Sequence, residues 1–349
     1  NVPADNTREM FFALRRLGKD VTWVNYMNGG HGTPTTTAAD FVDFHERLVA
    51  FFDRHLKGPR QERTVEAISL LGEPLSRPVP SAATLSRMEQ QLAEARAAWR
   101  RSPGNADSII WYGRRTAYPG RFNEAIAIYT DGIAKFPADA RMYRHRGHRY
   151  ITTRQLDRAI ADLQRAYDLT KDKPDEVEPD GQPNARNVPT STLKGNIRYH
   201  LALAYYLRGD FDQALPLYQE DVAASQGNPD MLVASSHWLY MTLRRLGRTA
   251  EAARVLAPIR KDMDVIENGA YHRLLLLYKG ELQPRDLLGE AASAGSPDDL
   301  ATAYGVGNWH LYNGRRAEAR ELFERMVKAR GQWASFGYVA AEAELARMR

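Results

Sequence analysis

A repeat of 34 residues governs what this chain can fold into. Two copies stand end to end between Ala106 and Lys171: Gly113 recurs as Gly147, Ala125 as Ala159, Tyr129 as Leu163 and Gly132 as Ala166. In each copy a small residue sits where two helices cross closely and a second small residue follows on the next helix. A large apolar residue then falls four positions later on the same face. The spacing predicts helix, turn, helix, with a corner at 120–123 and Pro137 closing the first copy. One such unit cannot bury its apolar face alone, so the copies must stack on one another.

This grammar resembles that of tetratricopeptide repeats, and the resemblance covers residues 84–349. It implies a mainly α fold: an α-solenoid of about six helix-turn-helix repeats. A half-repeat at 84–101 is expected to cap the stack. After the two clear copies, Tyr199 to Leu207 with Gly209, Ala214 and Tyr218 makes a third repeat, and Trp238 to Leu246 with Gly247, Ala252 and Leu256 a fourth. A degenerate fifth follows at 270–292, and Gly307, Gly314, Ala319, Phe323 and Met326 mark a sixth. A terminal helix, Trp333 to Arg347, reads as polar enough on one side to close the end, as a solenoid requires. The insertion 172–194, rich in Pro, Asp, Glu and Asn, is too broken for a helix and is expected to be solvated. Its carboxylates do not follow the Asp-x-Asp-x-Asp-Gly spacing of a calcium loop.

The resemblance also implies where a ligand would lie, because first helices line the concave face of such stacks. In family register the candidate groove residues are Arg114; Arg141, Arg144 and His148; Tyr199 and Tyr206; and His237 and Arg244. Arginine offers a planar fork for carboxylates and tyrosine a rigid amphipathic surface, so the implied partner is a protein or peptide of acidic character. His145 and His148 are three apart on one helix, but no third ligand falls beside them at helical spacing. No metal and no cofactor is expected.

Residues 1–58 read differently. Asp5 to Leu17 carries Met10, Phe11, Leu14 and Leu17 at helical spacing and stops at Gly18. Val21 to Tyr26 is β-branched and aromatic, a strand expectation, and a second helix follows over about 38–56 with Phe41, Phe44, Leu48, Phe51 and Phe52 along one side. Together with Val2-Pro3, Gly30-His31-Gly32 and the run Phe51 to Gly58, this segment resembles the C-terminal end of prolyl-oligopeptidase-type (S9) α/β-hydrolases. By that resemblance His31 stands where the family keeps its general base, and an extracytoplasmic location is favoured. The family's serine elbow, Gly-x-Ser-x-Gly, occurs nowhere in the 349 residues, and its aspartate position precedes the chain. A base without a nucleophile has nothing to activate, so the chain by itself is expected not to be catalytic.

Two function classes therefore stand side by side: an interaction and assembly scaffold, and the C-terminal portion of an S9-type peptidase whose repeats recruit substrates or partners. A lone strand has no mate among the helices that follow, which implies that residues 1–58 associate with a second polypeptide, another copy or an upstream part. Residues 59–83, broken by Pro74, Pro78 and Pro80, read as a linker and domain boundary.

Composition narrows the field. The net charge of +5 falls entirely after residue 58, with both signs interspersed. That is not the dense basic stripe of a phosphate-tracking surface, and nucleic acid is not expected as a partner. No apolar run approaches the roughly 20 residues of a membrane span. There is no cysteine, which excludes disulfides and thiolate chemistry. No charged and apolar leader pattern occurs at the start, and the first residue is Asn1, so the natural start is expected to have been removed or to lie upstream.

Overall fold

A computed structural model describes residues 4–19, 21–24, 37–56, 64–288 and 296–349. It divides into two compact units, 1–63 and 64–349.

The first unit contains α1 (Ala4–Arg16) and α2 (Ala38–Leu56). The chain leaves α1 through Gly18 at φ 68°, a left-handed stop that glycine adopts without steric cost. The expected strand is not formed: residues 21–24 have no regular secondary structure, and 25–26 lie outside the described residues. The only sheet among the described residues belongs to the other unit, so the backbone groups of 21–24 have no neighbour strand to pair with. His31 also lies outside the described residues.

The second unit opens with a hairpin of β1 (Val65–Ile68) and β2 (Pro74–Ser76), within the stretch expected to be a linker. Prolines that break helices are compatible with a hairpin: Pro74 opens β2, where its missing N–H is harmless, and Gly72 turns the chain at φ 90°. Leu75 and Ala67 are buried, and the Glu66 carboxylate accepts from Arg77 Nη2 at 2.7 Å and from the Asn123 backbone N–H at 3.0 Å.

The rest of the second unit is helical. α3 (Ala82–Arg101) precedes six helix pairs: α4 (Ala106–Ala117) with α5 (Phe122–Lys135); α6 (Ala140–Thr152) with α7 (Leu156–Thr170); α8 (Leu193–Arg208) with α9 (Phe211–Ala224). There follow α10 (Pro229–Arg245) with α11 (Thr249–Val255), α12 (Gly269–Lys279) with the short α13 (Pro284–Leu287), and α14 (Pro297–Tyr312) with α15 (Arg316–Lys328). α16 (Phe336–Arg347) ends the chain. This is a tetratricopeptide-type α-solenoid. The small residues of the repeat do what their spacing predicts. A Cβ on Gly113 would stand 2.5 Å from the Tyr129 ring, on Gly147 2.6 Å from Leu163 Cγ, and on Gly307 2.4 Å from the Phe323 ring. First helices α4, α6, α8, α10 and α14 begin on side-chain caps from Asn105, Asp139, Thr192, Asn228 and Ser296, which accept a backbone N–H that the helix cannot.

α16 departs from the expectation of a polar end cap. Residues 337–345 are all buried, Glu342 and Glu344 included. Their charges read as solvent-facing from sequence, but arginines from distant elements pair with them. Glu342 receives Arg154 Nε at 2.9 Å from the α6–α7 corner, and Glu344 receives Arg245 Nη1 at 2.5 Å and Arg347 Nη2 at 2.7 Å. Leu70 N–H also donates to Glu342, Trp333 Nε1 to the Ser76 carbonyl, and Arg347 Nη1 to the Leu207 carbonyl. The C-terminal helix therefore packs on α14 and α15 and also reaches the hairpin and the third repeat.

Candidate functional site

The first helices of successive pairs lie side by side, and other elements of the chain meet several of the positions expected to be exposed on them. The eight residues expected there fall into three groups. Tyr199, Tyr206 and His237, expected to be exposed, are core residues. Tyr199 Oη accepts from Trp238 Nε1 at 2.7 Å, and Tyr206 Oη accepts from Tyr304 Oη and Asn308 Nδ2, each at 2.9 Å. His237 stacks on Tyr271 with ring centroids 4.5 Å apart. Its pKa is lowered to about 3 by burial, so the ring is neutral. Tyr271 and Tyr278 of α12 and Tyr304 and Asn308 of α14 meet these side chains from later pairs, contacts that no single repeat reveals.

Arg244 lies at the far end of the surface, its guanidinium 4.3 Å from the Tyr312 ring centroid and its Nη2 donating to Asn313 Oδ1 at 3.1 Å. His148 faces Phe336 at the start of α16, with centroids 5.2 Å apart, and His200 at 4.6 Å.

The third group, Arg114, Arg141 and Arg144, converges at the N-terminal half. Here the insertion is exposed over most of its length, as expected, but it is also tied down as a strap, the stretch 171–192 between α7 and α8, against the first helices. It is antiparallel to its own return through the Val177–Thr192 bridge. Glu178 and Gly181 on it are buried. Arg114 Nη1 donates to the Pro179 carbonyl at 2.7 Å, and Arg115 Nη1 to the Gly181 carbonyl at 3.0 Å. Both guanidinium groups also stack on Trp111, at 4.6 and 5.3 Å from the ring centroid. Arg144 Nε approaches Glu178 Oε2 at 3.0 Å. The approach is not aligned as a hydrogen bond, and the buried Nε–H has no acceptor. Asn196 Nδ2 donates to the same carboxylate at 3.1 Å. Further along, Arg186 pairs with Asp264 at 2.8 Å and Thr190 Oγ1 donates to Glu267 at 2.6 Å, so the strap reaches from α4 to the loop before α12. A cavity of about 220 Å³ remains beside it, walled by Asp107, Trp111, Arg114, Arg141, His145 and Glu178. Arg141 stands at its mouth, held by Asp107 at 2.7 Å and Asp139 at 2.6 Å.

The electrostatics of this half are lopsided. His145, His148 and His200 are held well below the ordinary histidine pKa, first by burial and then by the charges of Arg144, Arg149 and, for His145, Arg114. The 4.0 Å approach of His145 to Glu178 is therefore a contact of a neutral ring, not an ion pair. Burial likewise pushes Arg149 down to about 10. The Glu178 carboxylate thus faces Arg144, the neutral His145 ring and the Asn196 amide together. Among the described residues no group of three or more His, Asp or Glu could hold a metal ion, and no helix is long and apolar enough to cross a membrane.

Trp111, Arg115 and Glu178 are absent from the residues expected for the groove. A signal for the last was present: the densest acidic run of a basic chain, inserted directly after the two repeats whose inner-face positions carry arginine.

No family model matches the chain, and no curated protein matches it. Among solved structures it is similar to YrrB, a TPR protein with an unusual peptide-binding site, at 16% identity over 67% of this chain and 91% of that one, TM-score 0.38. A putative kinesin light chain of Podosopora anserina with nearly identical TPR-like repeats is similar at 18% identity over 66% and 95%, TM-score 0.39. The structure of Naa15/Naa10 bound to HypK-THB is similar at 14% identity over 74% of this chain and 38% of that one, TM-score 0.34. At such identities a likeness concerns the fold alone, and here the fold stands on the repeat and its packing.

Proposed function

We propose that this chain is an interaction scaffold that takes an acidic, extended segment of a partner at the N-terminal half of its inner surface. The observation that carries this reading is the convergence of Arg114 and Arg141 with Trp111 around one partly open cavity, with Arg115 and Arg144 meeting the strap beside it. Arginines held in place by aromatic faces and by neighbouring acids lose little freedom on engaging a carboxylate, and buried guanidinium groups bond it more strongly than exposed ones.

Selection of random displayed peptides on the full chain is the test. Enriched sequences are expected to be acidic. Arg114→Ala and Arg141→Ala should each weaken their binding by about 1 to 3 kcal/mol, the range for hydrogen bonds to charged groups, with further loss as salt is raised. Enriched peptides that are not acidic, or that bind both variants unchanged, overturn the reading.

A second reading is favoured by the first unit, where Phe41, Val42, Leu48, Val49 and Phe52 lie exposed along α2. We propose that this face meets a second polypeptide: another copy of the chain or an S9-like hydrolase part, as the sequence resemblance implies. Replacing Phe41, Leu48 and Phe52 by Ser should lower the sedimentation coefficient of any self-associated form. A wild-type chain that sediments as a monomer at every concentration removes the second copy from this reading.

A further inference from the structure

The strap binds its own solenoid in the way an extended ligand would. Its segment 177–181 offers one side-chain carboxylate and two main-chain carbonyls to three arginines on α4 and α6, while the residues on either side are tied to other elements. Its fit is imperfect at the charged end: Arg144, buried to within 6% exposure, keeps an Nε–H without an acceptor, and its Nη1 reaches only His145 and His148 Nδ1 at 3.3 and 3.4 Å. A buried donor left unmade is costly, and a carboxylate free to approach Arg144 in the plane of its fork would satisfy two donors at once. The fit is close at the other end. A Cβ on Gly181 would overlap Tyr118 Oη at 1.7 Å and Arg114 Nη2 at 2.7 Å, so the strap lies flush on the wall there.

We propose that residues 177–181 are a built-in occupant of the partner site, and that the partner is an extended peptide presenting one carboxylate to Arg144 and main-chain carbonyls to Arg114 and Arg115. Binding then requires exchange: the strap lifts from α4 and α6 while α7 and α8, which hold its two ends, stay packed. The strap's outer tie favours this, because the Arg186–Asp264 pair is exposed and such pairs contribute little. The proposal rests on the reading that the inner surface takes an acidic segment, and adds what the segment looks like and what stands in its way.

The test uses the full chain with Glu178→Ala and Gly181→Val, which remove the carboxylate facing Arg144 and make the flush contact sterically impossible, and leave the residues of α4 and α6 unchanged. The probe is a fluorescein-labelled peptide of residues 172–186, followed by anisotropy. The released variant should bind it about ten-fold or more tightly than wild type, the low end of what one charge-assisted hydrogen bond provides. Adding Arg144→Ala, or Gln in place of glutamate at the peptide's 178 position, should remove that gain. A second variant with 173–186 replaced by a Gly/Ser linker covers misfolding of the first, and circular dichroism confirms helicity in both. Equal probe binding by wild type and both released chains, or a gain indifferent to Arg144→Ala, overturns the proposal. The acidic peptides selected on wild type are titrated in parallel. If they bind at Arg114 and Arg141 while the strap peptide does not bind the released chains, the scaffold reading stands and the exchange falls.

Discussion

Helices α2 and α16 reverse what their compositions suggest. α2 carries Phe41, Phe44, Phe51 and Phe52, yet no described side chain of the first unit is buried. α16 carries two glutamates in its last three turns, yet both are at most 1% exposed. Burial is decided by what the rest of the chain supplies. α16 meets Arg154, Arg245 and Trp333, brought to it by the curve of the stack, and the two described helices of the first unit are too few to enclose an apolar face. Isolated helix pairs of that size do not build a core.

The largest expected effect breaks the α16 side of this contrast. Arg154 occupies the corner that the other five repeats fill with Gly120, Gly209, Gly247, Gly280 and Gly314, and it does so at φ 63°. Its guanidinium bonds Glu342, the Trp333 carbonyl and the Thr152 carbonyl, and lies 5.1 Å from the Trp333 ring centroid. Arg154→Ala leaves Glu342 buried without its cation and is expected to cost about 3 to 5 kcal/mol in urea denaturation. Arg154→Gly should be milder by about 1 kcal/mol, because a left-handed backbone strains any residue with a Cβ. An Ala variant within about 1 kcal/mol of wild type would show that α16 is held by its apolar contacts alone.

Acid is the next lever, and it separates the inner region from everything else. His145, His148, His200 and His237 are buried neutral, through burial first and, for the first three, neighbouring arginines second. The unfolded chain therefore takes up protons at higher pH than the folded one. Their contribution is full above the ordinary histidine value of about 6.5 and falls as pH drops below it, for His237 down to about 3. Asp221, beside Arg198 and Ser235, acts in the opposite sense: burial raises it to about 6, so folding gains as pH falls from there toward its ordinary value. Four groups outweigh one, and stability is expected to drop by about 2 to 4 kcal/mol between pH 7.5 and 5.5. Urea midpoints at the two pH values measure it, and a flat profile would mean that water reaches these rings.

Gly307→Ala tests the repeat grammar itself. The new methyl would press on the Phe323 ring, and overpacking is expected to cost about 1 to 3 kcal/mol. Gly104→Ala, where a Cβ meets nothing within 4 Å, is the matched control and should be neutral or slightly stabilising.

What the sequence made legible follows the same division between local and distant. The 34-residue period located the helix pairs and the close crossings at Gly113, Gly147 and Gly307, because each depends on neighbours within one or two repeats. Register alone put Arg114, Arg141 and Arg144 among the candidate groove residues, and the structure brings Arg114 and Arg144 to the strap. It could not show that Tyr206 would meet Tyr304, or Arg154 meet Glu342 across 188 positions, since those contacts arise from the accumulated rotation of the stack. One clue was readable: a bulky arginine at a corner where the other repeats have glycine. A strained position retained by a non-glycine residue points to a contact that over-determines it.

The smallest expected effect is none at all, and it tests the first unit. Every core side chain of the second unit lies within 64–349, from Ala67 to Met348. Solenoid stability is a sum over neighbouring repeats, so a unit with no buried side chain among its described residues is expected to add nothing to it. Deleting residues 1–63 is therefore expected to leave the helical circular dichroism per residue of the remaining stack, and its melting temperature, unchanged to within about 2 °C, less than about 1 kcal/mol for a unit of this size. The deletion should at the same time abolish any association made through α2. A melting temperature lowered by more than that would mean that the exposed apolar side of α2 contributes to holding the stack, and the contrast between the two helices would have to be redrawn.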